Sequence, residues 1–216
     1  MPDAVLLDLD GLLIESEQIW DHVRRAVARD HGVGWTDDAT LAMQGMSAPE
    51  WTRYMVDVLG VPLGPEEVNT EVVDALLAHY DEALPILPCA VDAVSALATR
   101  WPLGLASSSN RELIDHVLER SGLAACFAAT VSSEEVPHGK PAPDVYLEVA
   151  RRLATSPSRC VAVEDSTNGI RSAVAAGASV IAVPNRHFAP DAAVLADARV
   201  VLPTLCDLTV ALVDEL

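Results

Sequence analysis

Two aspartates two residues apart, Asp8 and Asp10, follow the apolar run Ala4-Val5-Leu6-Leu7 and precede Gly11. Side chains alternate along a strand, so residues two apart point the same way. If the run is a strand, both carboxylates face one site at its end, and Gly11 frees the backbone to turn. Carboxylates that close repel by about 4 kcal/mol at ~4 Å and an effective dielectric of ~20. Such a pair suits a bound cation, a shared proton or sequential acid and base work. Two solvated acids at a strand exit are the plainer reading. Three other clusters bear on the choice: Ser107-Ser108, Lys140 and Glu164-Asp165. Each alone has an ordinary explanation, as a turn serine, a solvated lysine, or acids at a helix N-terminus.

The elements around these clusters give them a common place. The run at 4–7 fits a strand buried on both faces of a parallel sheet. Residues 17–31 read as a helix with Ile19, Trp20, Val23, Ala26 and Val27 on one face. Ser47-Ala48-Pro49-Glu50 reads as a capped helix start, followed by a stripe of Trp51, Met55, Val58 and Leu59. Residues 65–83 carry another helix. The stretch 17–83 thus holds three or four helices and no clear strand, an all-helical insertion. Beyond Pro85 and Pro88 the pattern changes to alternation. Helices at 90–100, after Asn110 as cap, at 142–154, from 167 and at the end alternate with strands at 103–106, 128–131, 160–163, 180–183 and 199–202. That alternation predicts an α/β fold with a doubly wound parallel sheet. The division is 1–15 and 86–216 as a Rossmann-like core, and 16–85 as a helical cap.

In such sheets the ligand site lies beyond the carboxyl ends of the strands, where all four clusters fall. Asp8, Asp10, Glu164 and Asp165 would place four negative charges in one cleft, and one lysine does not offset them. A bound Mg²⁺ would, since it takes one or two carboxylates together with water and phosphate oxygens. A phosphate would then bridge the metal, Lys140, the Ser107 hydroxyl and N–H groups at a helix start. This arrangement suits phosphoryl transfer, in which one carboxylate can serve as a nucleophile.

The 216 residues are half apolar but only 4% aromatic, so Ala, Val and Leu must fill the core. The net charge of −18 opposes nucleic acid and anionic membranes as partners, and any phosphate site must be locally positive. The four cysteines, Cys89, Cys126, Cys160 and Cys206, include no CxxC pair. They read as buried free thiols of a reducing compartment rather than a zinc or disulfide set. The chain has no HExxH spacing, no basic start followed by an apolar signal region, and no apolar run of about 18 residues. The expectation is a soluble cytoplasmic protein whose partner is a small phosphorylated metabolite. Oligomeric state is not legible.

The chain resembles the haloacid dehalogenase superfamily, in its β-phosphoglucomutase-like branch with a helical cap. Four ordered segments carry the resemblance: Asp8-Leu9-Asp10-Gly11, Ala106-Ser107-Ser108-Ser109, Lys140-Pro141-Ala142-Pro143-Asp144, and Val163-Glu164-Asp165-Ser166 on to Gly169-Ile170 and Ala176-Gly177. The resemblance implies Asp8 as nucleophile and Asp10 as general acid and base. It implies Mg²⁺ held by Asp8, the backbone carbonyl of Asp10 and Asp165, with Glu164 supporting directly or through water. Ser107, Lys140 and the Ser108 N–H would bind the phosphoryl oxygens.

Departures from the pattern shape the expected activity. Leu7 stands where the family often has Phe, Glu15 where Asp is usual, and Cys89 where the hinge commonly has Gly. Trp20 stands where the sugar-phosphate mutases of this branch carry His, and no Arg follows Gly45 within Met46-Ser47-Ala48. A bisphosphate would be poorly held, so water is the expected acceptor. Trp20, Met43, Gly45 and Met46 are the cap residues expected to face substrate, whereas Trp51 and Tyr54 read more as cap packing. The implied function is a Mg²⁺-dependent phosphatase of small phosphomonoesters, sugar or polyol phosphates, acting through an aspartyl-phosphate. The alternatives are a phosphosugar mutase, a carbon–halogen hydrolase needing no metal, and a non-catalytic phosphoester-binding protein.

Overall fold

The computed structural model describes residues 1–43 and 45–216. Six strands, β1 (Ala4–Leu7), β2 (Leu103–Ser107), β3 (Phe127–Ser132), β4 (Cys160–Glu164), β5 (Ser179–Ala182) and β6 (Val200–Val201), form one sheet in the order β3-β2-β1-β4-β5-β6. Every pairing is parallel, with Val5 opposite both Leu103 and Val161. The order reverses at β1, so the adjacent ends of β1, β2 and β4 frame the crevice where this topology binds ligands. The sheet confirms the α/β expectation, including the short edge strand near 200.

Strand alternation explains the two layers of the core. Val5 and Leu7 turn one way, into a cluster with Leu105, Val163 and Ile181. Ala4 and Leu6 turn the other way, onto Val145, Tyr146, Val149, Ile170 and Ala173. The helices on the sheet are α5 (Ala90–Ala98), α6 (Arg111–Arg120), α7 (Asp144–Arg152) and α8 (Thr167–Ala176), with short α9 (Ala192–Leu195) and α10 (Val210–Asp214) near the end.

Between β1 and α5 lie α1 (Glu17–Asp30), α2 (Asp37–Ala42), α3 (Ala48–Arg53) and α4 (Pro65–Glu82). The chain enters and leaves this helical segment side by side. Ile14 pairs antiparallel with Ile86, the Glu15 N–H donates to Pro85 O at 2.8 Å, and the Leu87 N–H donates to Leu13 O at 2.9 Å. Glu50 accepts from the Ser47 N–H and Oγ at 2.8 and 2.6 Å, as the capping pattern predicts. The stripe after it slips, however. Tyr54–Val58 form a π-helical turn, with the Leu59 N–H reaching back to Tyr54 O. The wider turn shifts the register of the face, so Met55 is buried while Val58 is 64% exposed.

Two sequence expectations are corrected. Asn110 sits at the start of α6 but makes no side-chain cap; its amide instead donates to Asn69 of α4 and to Glu134. The cysteines are not all free. Cys89 and Cys206, separated by 117 residues, are joined as a disulfide, while Cys126 and Cys160 remain thiols. The fold brings the start of α5 against the 205–207 turn, a proximity no spacing rule reveals. The cysteine argument for a reducing compartment falls with it. Among the described residues, no helix is long and apolar enough to cross a membrane.

Candidate active site

Asp8 leaves the end of β1 with its N–H on Val163 O, and its side chain is buried. Glu164 ends the neighbouring β4, and Asp165 follows it. Oxygens of Asp8, Glu164 and Asp165 lie within 4.8 Å of one another. Lys140, in the loop between β3 and α7, donates to Asp8 Oδ1 at 2.8 Å and to Glu164 Oε1 at 2.6 Å. Glu164 also accepts from the Tyr146 hydroxyl at 2.6 Å and from the Asp165 N–H at 3.2 Å.

Two glycines make this crowding possible. Gly11 has φ +76°, and a Cβ there would lie 2.0 Å from Asp165 Oδ2, so the turn after Asp10 admits no side chain. Gly169, in the first turn of α8, would drive a Cβ to 1.8 Å from Glu164 Oε2.

The electrostatics follow from burial. Burial first, then the charge of Glu164, pushes the Asp8 carboxyl up to about 8 against the pull of Lys140. Burial likewise raises Asp165, with Asp8 and Glu164 adding to it. Burial works against the Lys140 ammonium, yet Asp8 and Glu164 outweigh it and hold its pKa above the usual value. Three buried carboxylates thus share one ammonium. Asp165 Oδ1 is buried with no hydrogen-bond partner among the described residues. An oxygen-rich, net-negative set with an orphaned lone pair fits a hard divalent cation such as Mg²⁺.

Asp10 belongs to a second network. Its Oδ1 accepts from Ser16 Oγ at 2.6 Å and from the Trp20 indole N–H at 3.3 Å. Its Oδ2 accepts from Ser109 Oγ at 2.6 Å and from Ser107 Oγ at 3.3 Å. Ser16 begins α1 in a helical backbone conformation (φ −98°, ψ −22°) and makes no side-chain cap, while its hydroxyl donates to Asp10.

Asp8, Asp10, Ser108, Lys140, Asp165 and Gly45 all line one cavity of about 260 Å³. The structure therefore brings together most residues singled out from the sequence. Two sit behind its wall: Ser107 and Glu164, both fully buried and bonded to the residues that line it. Trp20, Met43 and Met46 join Asp10 and Gly45 around a second, smaller space of about 40 Å³ on the helical side. Trp51, expected to be packing, is 1% exposed, stands edge-on to Trp20 at 5.9 Å, and still reaches this space. Tyr54 packs half-buried against the apolar core. A larger concavity, about 830 Å³ near Arg53 and Thr70, is lined by none of these groups.

Several site residues were not singled out from the sequence. Ser109 carries no expected role in the sequence beyond its place in the Ala106–Ser109 motif, yet its hydroxyl makes one of the two shortest bonds to Asp10. Tyr146 holds Glu164 from α7, and nothing in its spacing marks it out. Glu17 and Arg24 face the site from α1. Their spacing from Trp20 along one helix face was the available signal.

A family model for haloacid dehalogenase-like hydrolases matches residues 2–177, and the chain belongs to that family. It is 35% identical over 218 residues to hexitol phosphatase B of Escherichia coli (strain K12), covering 95% of this chain and 94% of that protein. It is 34% identical over 187 residues to the bifunctional riboflavin kinase/FMN phosphatase of Arabidopsis thaliana. That match covers 86% of this chain, which spans about half (49%) of the longer protein. Among solved structures, CbbY from Rhodobacter sphaeroides in complex with phosphate superposes with a TM-score of 0.85 at 25% identity, covering 99% of this chain and 100% of that one.

Proposed function

We propose that this protein is a phosphatase of sugar or polyol phosphates that works through an aspartyl-phosphate on Asp8, with helices α1–α4 (within 16–85) as a cap over the core formed by 1–15 and 86–216. The observation that carries the reading is the buried Asp8–Lys140–Glu164 chain beside Asp165, opening on the same cavity as Asp10. An Asp8 oxygen attacks phosphorus, and the bond to the leaving alcohol breaks. Asp10 gives that alcohol a proton, then takes one from the water that hydrolyses the acyl phosphate. Lys140 and the Ser108 backbone N–H hold phosphoryl oxygens, and Ser107 with Ser109 keeps Asp10 in place. Asp8 and Asp165, with Glu164 in support, would hold Mg²⁺, which offsets charge on the transferring phosphoryl group.

The relatives support the substrate class. Hexitol phosphates and FMN are both phosphate esters of open-chain polyols. Trp20 occupies the cap position next to Asp10 as an N–H donor with no proton to give or take, which suits hydrolysis better than transfer between two sugar positions.

The test is phosphate release from hexitol, hexose and glycolate phosphates, FMN and an aryl ester, with Mg²⁺ and with EDTA, wild type beside Asp8→Asn. Release should depend on Mg²⁺ and fall by about 10³-fold or more in Asp8→Asn, with an unchanged circular dichroism spectrum. An unchanged rate in the variant, or full activity in EDTA, would overturn the reading.

A further inference from the structure

Helix α1 carries Glu17, Trp20 and Arg24 at positions i, i+3 and i+7, on one face of the helix. That face turns toward Asp10. Glu17 lines both the catalytic cavity and the smaller space, and Arg24 lines the smaller one. Arg24 is only 8% exposed, and its Nε has no hydrogen-bond partner among the described residues. Its guanidinium lies over Trp20 at 4.5 Å and Trp51 at 5.0 Å, which fixes its plane without satisfying its donors. Burial drops the Arg24 pKa to about 10, and burial followed by the Asp10 charge pushes Glu17 up to about 7. Both groups therefore carry charge at a cost.

A structural ion pair would bring its own hydrogen bonds, because buried charges left unpaired are costly. Neither Glu17 nor Arg24 has a side-chain hydrogen bond or salt bridge to another described residue. The chemistry that completes them is restricted. A second phosphate would suit Arg24 but meet the Glu17 carboxylate. An alkyl chain would leave both groups unpaired. A polyhydroxylated chain offers O–H donors to Glu17 and oxygen acceptors to Arg24 at once, and adds no charge to a pair that already sums to zero.

We propose that Glu17 and Arg24 are the specificity-determining residues of this site and recognise an uncharged, polyhydroxylated leaving group through its hydroxyls. The assignment rests on the phosphatase reading above and names the part of the substrate that reading leaves open. Trp20 and Trp51 orient Arg24 and supply the apolar wall against which the C–H faces of such a chain pack.

The experiment compares three six-carbon esters on the wild-type enzyme with Mg²⁺: a hexitol 6-phosphate, n-hexyl phosphate, and the 6-phosphate of a six-carbon aldonic acid. The hexitol ester should have a kcat/KM about tenfold or more above the hexyl ester, since the site's buried polar groups are otherwise left unpaired. Glu17→Gln and Arg24→Met should each shrink that ratio by about tenfold, mainly through KM. Equal rates for hexitol and hexyl esters would overturn the assignment without touching the phosphatase reading, and this comparison needs no variant to fold. A tenfold preference for the aldonate ester would overturn it too, because Arg24 would then be serving a carboxylate. Unchanged ratios in both variants would place recognition elsewhere. No release from any ester would bring down the phosphatase reading and this assignment together.

Discussion

Gly169→Ala places local propensity and the site in direct conflict. In the first turn of α8, Ala should stabilise the helix over Gly by up to about 1 kcal/mol. The new Cβ, however, would stand 1.8 Å from Glu164 Oε2 and 2.0 Å from its Cδ. The carboxylate is the end of a side chain and could rotate away, but it is fully buried and has nowhere hydrated to go. Moving it breaks its bonds to Lys140 Nζ and Tyr146 Oη, both 2.6 Å, and loosens its contact with the Asp165 N–H. Breaking a buried ion pair costs about 3–5 kcal/mol. Set against the helix gain, the variant should be less stable by about 2–4 kcal/mol. Lys140 then has only Asp8 to hold it, so phosphate release should fall as well. Urea unfolding followed by circular dichroism gives the stability, and phosphate release from a hexitol ester gives the activity. A variant as stable as wild type with unchanged kcat/KM would refute the idea that Gly169 exists to admit Glu164.

The Cys89–Cys206 disulfide closes a loop of 117 residues, so its reduction should destabilise the fold by about 2–4 kcal/mol. Thermal melts with and without dithiothreitol measure this, and labelling of four rather than two thiols under non-reducing denaturing conditions would sink the pairing. Glu135 accepts from the Ser132 N–H, Arg111 and Arg152. Burial raises its carboxyl, but these donors together pull it from 4.5 down to about 2. A folded-state pKa below the unfolded one stabilises above the unfolded value and loses that contribution as pH falls through the folded value. Glu135→Gln should therefore cost about 1 kcal/mol at pH 6, after allowance for solvent screening, and less at pH 3. A penalty equal at both pH values would rule out the charge as its cause.

The sheet and its chemical edge were legible in the amino-acid sequence. Short apolar runs leading to Asp8, Ser107 and Glu164, alternating with helical segments, fit buried parallel strands, and parallel strands put those ends on one side. The helical segment was legible from its periodicity, and so was the meeting of Asp8, Glu164 and Asp165 with one lysine, though Asp10, expected to add a fourth charge there, turns its side chain to a separate network. Tertiary structure alone decided how the charges are shared. Lys140 bridges Asp8 to Glu164, Asp10 turns instead to Ser16, Trp20 and Ser109, and Asn110 reaches across to α4 rather than capping its own helix. Most of these pairings join residues far apart in the chain, and side-chain hydrogen bonds leave no periodic trace. The same holds for Cys89 and Cys206. Glu17 and Arg24 lie between the two cases: their spacing is visible in the sequence, but only the packing of α1 over the crevice shows that their shared face turns inward.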